Sequence, residues 1–172
     1  MEEPKLLLTV KNNKNNRCII EILNRLYVKD LDAKAEEVIQ NVILVFTTLS
    51  PMISYGLLIS APPSCLAKIY PINLVINSTD EKVIIEKVVN YIKGISPKVF
   101  ETFYVECYKR GIDLDCREIE IGIGLGLRGF AKTHFKNPDK IVVVNVVKDT
   151  AYLSIIKKGQ EKVSANSLRQ NI

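Results

Sequence analysis

The sequence has no tryptophan, a single histidine (His134), two methionines and no cysteines at Cys-x-x-Cys spacing. Each shortage excludes something. One histidine and four dispersed cysteines, Cys18, Cys65, Cys107 and Cys116, do not make the clustered ligand set that zinc requires. A lone histidine with no partner nucleophile supports no hydrolytic triad. The longest apolar runs, such as Ile141 to Val147, are far short of a bilayer span. Residues 1–16 hold one short apolar stretch, Leu6 to Leu8, and then turn polar and Asn-rich, without the apolar region of a secretory signal. The expectation is a cytoplasmic protein with four reduced, mostly buried thiols and neither metal nor cofactor.

Hydrophobic residues make up 47% of the 172, enough for a folded core in one domain or two small ones. The net charge is +5, and it is unevenly placed. Residues 1–78 carry eight basic and seven acidic groups, whereas residues 79–172 carry sixteen and twelve. A positive field concentrated in the second half suits a phosphate-bearing partner.

The first half reads as alternating strands and helices. Lys5 to Val10 is a candidate strand, followed by the KNNKNN turn. Ile19, Ile22, Leu23 and Leu26 recur at helical spacing between Arg17 and Leu26. Residues 34–39 and 42–48 read as two strands joined at Gln40-Asn41. Ser50-Pro51 is a helix start, a cap followed by proline at the first helical position. That helix stops before Ala61-Pro62-Pro63, and a strand follows over Cys65 to Ile76, broken or set at an edge by Pro71. The order β-α-β-β-α-β is the ferredoxin-like one.

The second half opens at Ser78-Thr-Asp-Glu81, read as a capping box. Ile84, Val88 and Tyr91 then repeat at helical spacing, and Gly94 and Pro97 end the helix. Val99 to Tyr108 alternates as a strand. Lys140 to Val147 is apolar on both faces and should be central, and Ala151 to Lys157 pairs with it through a short turn. From about Gln160 the chain is polar and expected to fray.

The run EIGIGLGLRG, Glu120 to Gly129, matches the acidic-x-Gly-x-Gly-x-Gly loop of S-adenosylmethionine methyltransferases. In that loop an apolar strand precedes the glycines and a long doubly wound sheet follows. Here the preceding residues are polar and only 43 residues follow. The run reads better as a helix with Ile119, Ile123 and Leu127 inward and small Gly122 and Gly126 on a neighbouring face, where another element approaches closely; the alternation also permits a strand.

Immediately after it, RGFAKTHFKNPDK interleaves Arg128, Lys132, His134, Lys136 and Lys140 with Phe130 and Phe135, and closes in the Asn137-Pro138-Asp139 turn. Basic groups bind phosphates, and aromatic rings stack on unpaired bases, although both phenylalanines are more readily placed in a core. Two further basic pairs, Lys109-Arg110 and Lys157-Lys158, end strands. If those strands are neighbours, the basic ends border one groove. His134 reads as a polar loop residue.

The strand end Cys107-Tyr108-Lys109-Arg110-Gly111, the glycine-containing Ile119–Leu127 segment and Lys136-Asn137-Pro138-Asp139 before Ile141–Val147 together resemble the THUMP domain. THUMP domains commonly follow a small ferredoxin-like domain, and residues 1–77 look like that partner. The resemblance implies an α+β fold, with a ferredoxin-like domain over 1–77 packed with a THUMP-like α/β domain over 78–160 and a polar tail over 161–172. Most THUMP proteins add a methyltransferase, pseudouridine synthase, thiouridylase or deaminase domain. The length and order here are similar to the stand-alone Tan-type proteins, which implies tRNA binding, at the acceptor end by family analogy, and delivery to a separate tRNA cytidine N4-acetyltransferase. The expected function is therefore a non-enzymatic tRNA-binding adaptor in tRNA modification, with Lys109, Arg110, Arg128, Lys132, His134, Lys136, Asn137, Lys157 and Lys158 as RNA contacts. The alternatives are a small cofactor-dependent RNA-modifying transferase and a protein-interaction subunit without RNA contact.

Overall fold

The computed structural model describes residues 2–11 and 15–163. Residues 12–14 of the KNNKNN turn, and the tail beyond residue 163, lie outside the described residues. The chain divides into two units, one formed by Met1–Ile72 with the residues from Gly159 onward, the other by Asn73–Lys158. The boundary thus falls earlier than the expected 77/78. Of the segment after β9, the described residues 159–163 belong to the first unit.

In the first unit the elements run β1 (Leu6–Val10), α1 (Asn15–Leu26), β2 (Lys34–Ile39), β3 (Val42–Phe46), α2 (Pro51–Ser60) and β4 (Leu66–Pro71). The sheet order is β2-β3-β1-β4, with every neighbouring pair antiparallel. Cys18, Ile22 and Leu26 recur every fourth residue along α1, which puts all three on the buried stripe of the helix. They pack with Leu6 and Leu8 of β1, Ile43 and Val45 of β3, and Leu58 of α2. Ser50 caps α2, its side-chain oxygen accepting from the Ile53 N–H at 3.2 Å, with Pro51 next. The expected frayed end is ordered at its start. The Tyr55 hydroxyl donates to the Gln160 carbonyl oxygen at 2.7 Å, the Ile69 N–H donates to the Glu161 carbonyl oxygen, and Gln160 and Glu161 are buried.

The second unit runs β5 (Leu74–Ile76), α3 (Glu81–Gly94), β6 (Thr102–Arg110), α4 (Cys116–Gly126), β7 (Lys132–Thr133), β8 (Lys140–Val147) and β9 (Thr150–Ile156). Its sheet order is β5-β9-β8-β6-β7, with β6 parallel to both β7 and β8. The single strand expected over Cys65–Ile76 is two, β4 and β5, in different sheets. Asn73 fixes β5 to β9, donating its N–H to the Leu153 carbonyl oxygen and accepting from the Ile155 N–H at its side-chain oxygen. Helix α3 begins two residues later than the capping box suggested. Asp80 is the cap, accepting from the N–H groups of Lys82 and Val83, and Ser78 accepts from the Asp80 N–H. β8 is central, as its two apolar faces require. Ile84, Val88 and Ile92 of α3 and Ile119 and Ile123 of α4 cover Val142, Val144 and Val146 of β8 and Leu153 of β9. Each such side chain contributes roughly 1.5–3 kcal/mol on burial.

Gly122, Gly124 and Gly126 of the glycine run lie inside α4, and Gly129 follows its end. A Cβ on Gly126 would stand 2.7 Å from Cγ2 of Val89, and one on Gly122 would overlap the Ile85 side chain. These two glycines are where α3 and α4 touch. Gly124, on the other side of α4, faces open space.

The expectation of four free thiols is corrected. Cys18 is joined to Cys65 and Cys107 to Cys116, with Cα separations of 5.9 and 5.4 Å, inside the range disulfides occupy. The first pair ties α1 to the loop before β4, and the second ties β6 to the first residue of α4. Among the described residues no helix is long and apolar enough to cross a membrane.

Candidate nucleic-acid interface

β6 and β8 run in parallel register from Phe103 opposite Lys140 to Arg110 opposite Val147. Seven steps of roughly 3.3 Å separate those two ends by about 23 Å. This length decides which of the expected contact residues meet. Lys109 and Arg110 lie at one end of the sheet. Lys132, on β7 beside Thr102, and the loop carrying His134, Lys136 and Asn137 lie at the other, with Lys157 and Lys158 just past the end of β9. The expectation that all three basic groups border one groove is corrected: two of them gather and the Lys109-Arg110 pair does not join them. Each member of that pair also has a local partner. Lys109 makes an exposed ion pair with Asp113 at 3.4 Å. The Arg110 Nε donates to Oδ1 of the buried Asn145 at 3.0 Å, and its guanidinium lies 5.3 Å from the centre of the Tyr108 ring.

At the Lys132 end the loop is tied down by short-range bonds. Asp139 anchors it, its Oδ2 accepting from the Glu101 and Thr102 N–H groups at 2.9 and 3.1 Å, which hold its carboxyl below the usual carboxylate range. The Asn-Pro-Asp turn is thus a clamp on the start of β6. His134 takes a structural role here: its Nδ1 accepts from the Asn137 N–H at 3.0 Å, and its own N–H donates to the Phe103 carbonyl oxygen. Lys158 donates from Nζ to the Lys136 carbonyl oxygen at 3.0 Å, so these two lysines adjoin. Lys140, at the start of β8, is held below the ordinary lysine pKa first by burial and then by the charge of Lys157. Asp139 opposes that shift in part, so two lysines and one carboxylate share this end of the sheet.

Beside this end, α4 and β7 wall a cavity of about 760 Å³. Arg117, Glu120, Ile121, Gly124 and Leu125 line it, a spacing of three and four residues that makes them one stripe of α4, and Arg128 joins them from the turn just past the helix end. Lys132, Thr133 and Phe135 form the opposite rim. Three of the lining side chains are large, apolar and exposed: Ile121 at 50%, Leu125 at 54% and Phe135 at 74%. Among the described residues Arg117, Arg128 and Lys132 make no ion pair. The two phenylalanines separate. Phe130 packs at the margin of the core with Lys98 over its ring, as expected, whereas Phe135 stands out of the core with its ring stacked 6.0 Å from that of Tyr104. Glu120 is the single acid in the lining, and its Oε2 accepts from the Cys107 N–H at 3.2 Å. Arg117 escaped the sequence reading, yet it sits four, eight and eleven residues before Ile121, Leu125 and Arg128, a period that was there to be counted.

No family model matches the sequence, and no curated protein matches it. Solved structures do match. The Pyrococcus horikoshii protein PH1313 superposes with a TM-score of 0.66 at 15% identity, covering 90% of this chain and 55% of that one. TrmN from Thermus thermophilus gives 0.60 at 15% identity, over 87% of this chain and 44% of that one. A 4-thiouridine synthetase, crystallised as an RNA complex with bound ATP, gives 0.55 at 15% identity, over 90% and 42%. The chain therefore spans about half the length of the structures it resembles. At these identities the likeness is one of fold. Mixed α/β, with two sheets and four helices among the described residues, this chain has a THUMP-like fold.

Proposed function

We propose that the chain binds tRNA, gripping its acceptor end, and presents it to a separate modifying enzyme without doing chemistry itself. The observation that carries this reading is the cluster at one end of the second unit. Arg117, Arg128 and Lys132, none of them ion-paired among the described residues, surround an apolar-walled cavity, with Lys136 and Lys158 adjoining at the same sheet end. Cations supply affinity through released counterions, and a concave apolar wall supplies shape. The likeness to a synthetase crystallised with RNA agrees with it.

Within this reading the first unit is the ferredoxin-like module, and the partner enzyme is the tRNA cytidine N4-acetyltransferase implied by the resemblance to stand-alone Tan-type proteins. The alternative, a cofactor-dependent transferase built on the glycine run, has less support. Gly122, Gly124 and Gly126 sit within α4, and two of them face α3 where a cofactor loop would need them open.

A salt titration of tRNA binding tests the proposal. Affinity should fall steeply and log-linearly as salt rises. Affinity flat in salt, or no binding at low salt, overturns it. The adaptor role has its own test: tRNA acetylation by the purified acetyltransferase should rise when this chain is added.

A further inference from the structure

The α4 cavity holds one feature that phosphate binding does not use. Glu120 is a carboxylate set among Arg117, Arg128 and Lys132, where a purely electrostatic site would have no acid. Its Oε2 is engaged by the Cys107 N–H of β6, which fixes the side chain against the cavity wall. Its Oε1 has no partner among the described residues. A fixed acceptor beside exposed apolar side chains is the arrangement that reads a base edge. Ring faces lie against Leu125 or Phe135 while a polar group at the edge meets the carboxylate. The volume, about 760 Å³, lies within the range of small-ligand sites. A base inside a duplex cannot present its pairing edge to such a concavity, so the occupant is unpaired.

We infer that this cavity receives one unpaired nucleotide and that Glu120 selects a base carrying an exocyclic amine over uracil. The inference rests on the RNA-binding reading above and deepens it. A carboxylate oxygen accepts from an amine such as the cytosine N4 group. Uracil places a carbonyl oxygen at that position, and two acceptors repel. Cytosine and uracil are nearly equal in size and stacking surface, so they isolate this one contact.

The experiment measures binding of the full chain to tetracytidylate, tetrauridylate and whole tRNA at one low salt concentration, with wild type and Glu120→Gln. Glutamine keeps an acceptor for the Cys107 N–H and adds a donor that uracil accommodates. Wild type should prefer tetracytidylate by roughly tenfold, about the worth of one such contact. The Glu120→Gln protein should lose that preference and bind the two oligonucleotides alike. Equal binding of the two oligonucleotides by wild type overturns the inference and leaves the RNA reading standing, and needs no variant to be folded. Binding of tRNA with neither oligonucleotide bound has the same meaning. Failure to bind any of the three RNAs removes the RNA reading itself, and this inference with it.

Discussion

Lys158 reaches across from the end of β9 and donates its ammonium to the main-chain oxygen of Lys136, 3.0 Å away. One bond thus gathers two positive charges separated by 22 positions in sequence and fixes the loop between β7 and β8 from its far side. With Lys132 and Arg128 nearby in the chain, the result is a concentrated positive surface at one end of the sheet. Replacing Lys136 by alanine removes a charge but not the carbonyl oxygen that Lys158 uses. The loop should keep its conformation, and tRNA affinity should fall. The slope of log affinity against log salt should drop by about 0.7–0.9 for each lost phosphate contact. An unchanged slope in a titration of Lys136→Ala takes that residue off the interface.

Arg110→Ala should behave differently, although Arg110 was expected among the contacts. Its Nε serves the side-chain oxygen of Asn145, whose Nδ2 is already buried without a partner among the described residues. Removing the guanidinium leaves more of that amide unsatisfied, at a cost of about 1–3 kcal/mol. Urea unfolding should show the loss, while the salt slope of tRNA binding in the folded protein should match wild type. A reduced slope with unchanged stability would return Arg110 to the interface.

Much of this was legible in the residues. Three helices could be placed from period and caps alone: the spacing of Ile19 to Leu26, the Ser50-Pro51 start and the i, i+4 run of Ile84 and Val88 are local signals, and local signals survive into the fold, whereas the alternation over the glycine run left a strand open as well. The contact of Gly122 and Gly126 with another element was legible too, because a glycine costs helix stability unless it packs. What the residues could not show was length and pairing across the sheet. Lys109-Arg110 and Lys157-Lys158 both end strands, and only the parallel run of β6 with β8, set against the reversed run of β9, sends them to opposite ends. The disulfides were illegible for the same reason: Cys18 and Cys65 are 47 residues apart, and α1 brings them together. β7 is two residues long, too short for any period.

The glycines of α4 should divide by the face they occupy. Gly126→Val drives a branched side chain into Val89 and should destabilise by about 1–3 kcal/mol or more. Gly124→Ala meets nothing within 4 Å and should stabilise by up to about 1 kcal/mol, since alanine suits a helix interior better. Thermal melting of both variants checks the pair together. Equal shifts of the same sign would mean that α3 does not lie against the Gly122 and Gly126 face.

Opening the disulfide between Cys18 and Cys65 should cost more than opening the one between Cys107 and Cys116. In the chain-entropy account a closure of 47 residues is worth about 4 kcal/mol and one of 9 residues about 2.5–3. The double variant Cys18→Ser with Cys65→Ser should therefore melt lower than Cys107→Ser with Cys116→Ser. The reverse order would show that the short bridge between β6 and α4 carries native-state contacts beyond its loop.

Tyr55 links α2 to the returning segment by donating to the Gln160 carbonyl oxygen. Burial, reinforced by the negative charge of Glu161, pushes its hydroxyl up to about 12 from the ordinary 10. The sign follows from which form the folded state prefers. The native protein holds the proton more tightly than the unfolded chain, so the stabilisation is complete below pH 10. It declines as pH climbs and is gone once the folded-state value near 12 is passed. Tyr55→Phe deletes the hydroxyl and with it this dependence. Unfolding free energies from urea titrations between pH 9 and pH 12 should fall more steeply for wild type than for the phenylalanine variant. At neutral pH the variant should be weaker by about 1 kcal/mol, the net worth of one buried hydrogen bond. Parallel curves across that range would mean that the hydroxyl is as well solvated in the native state as in the unfolded chain, and that the Gln160 contact does not hold the segment in place.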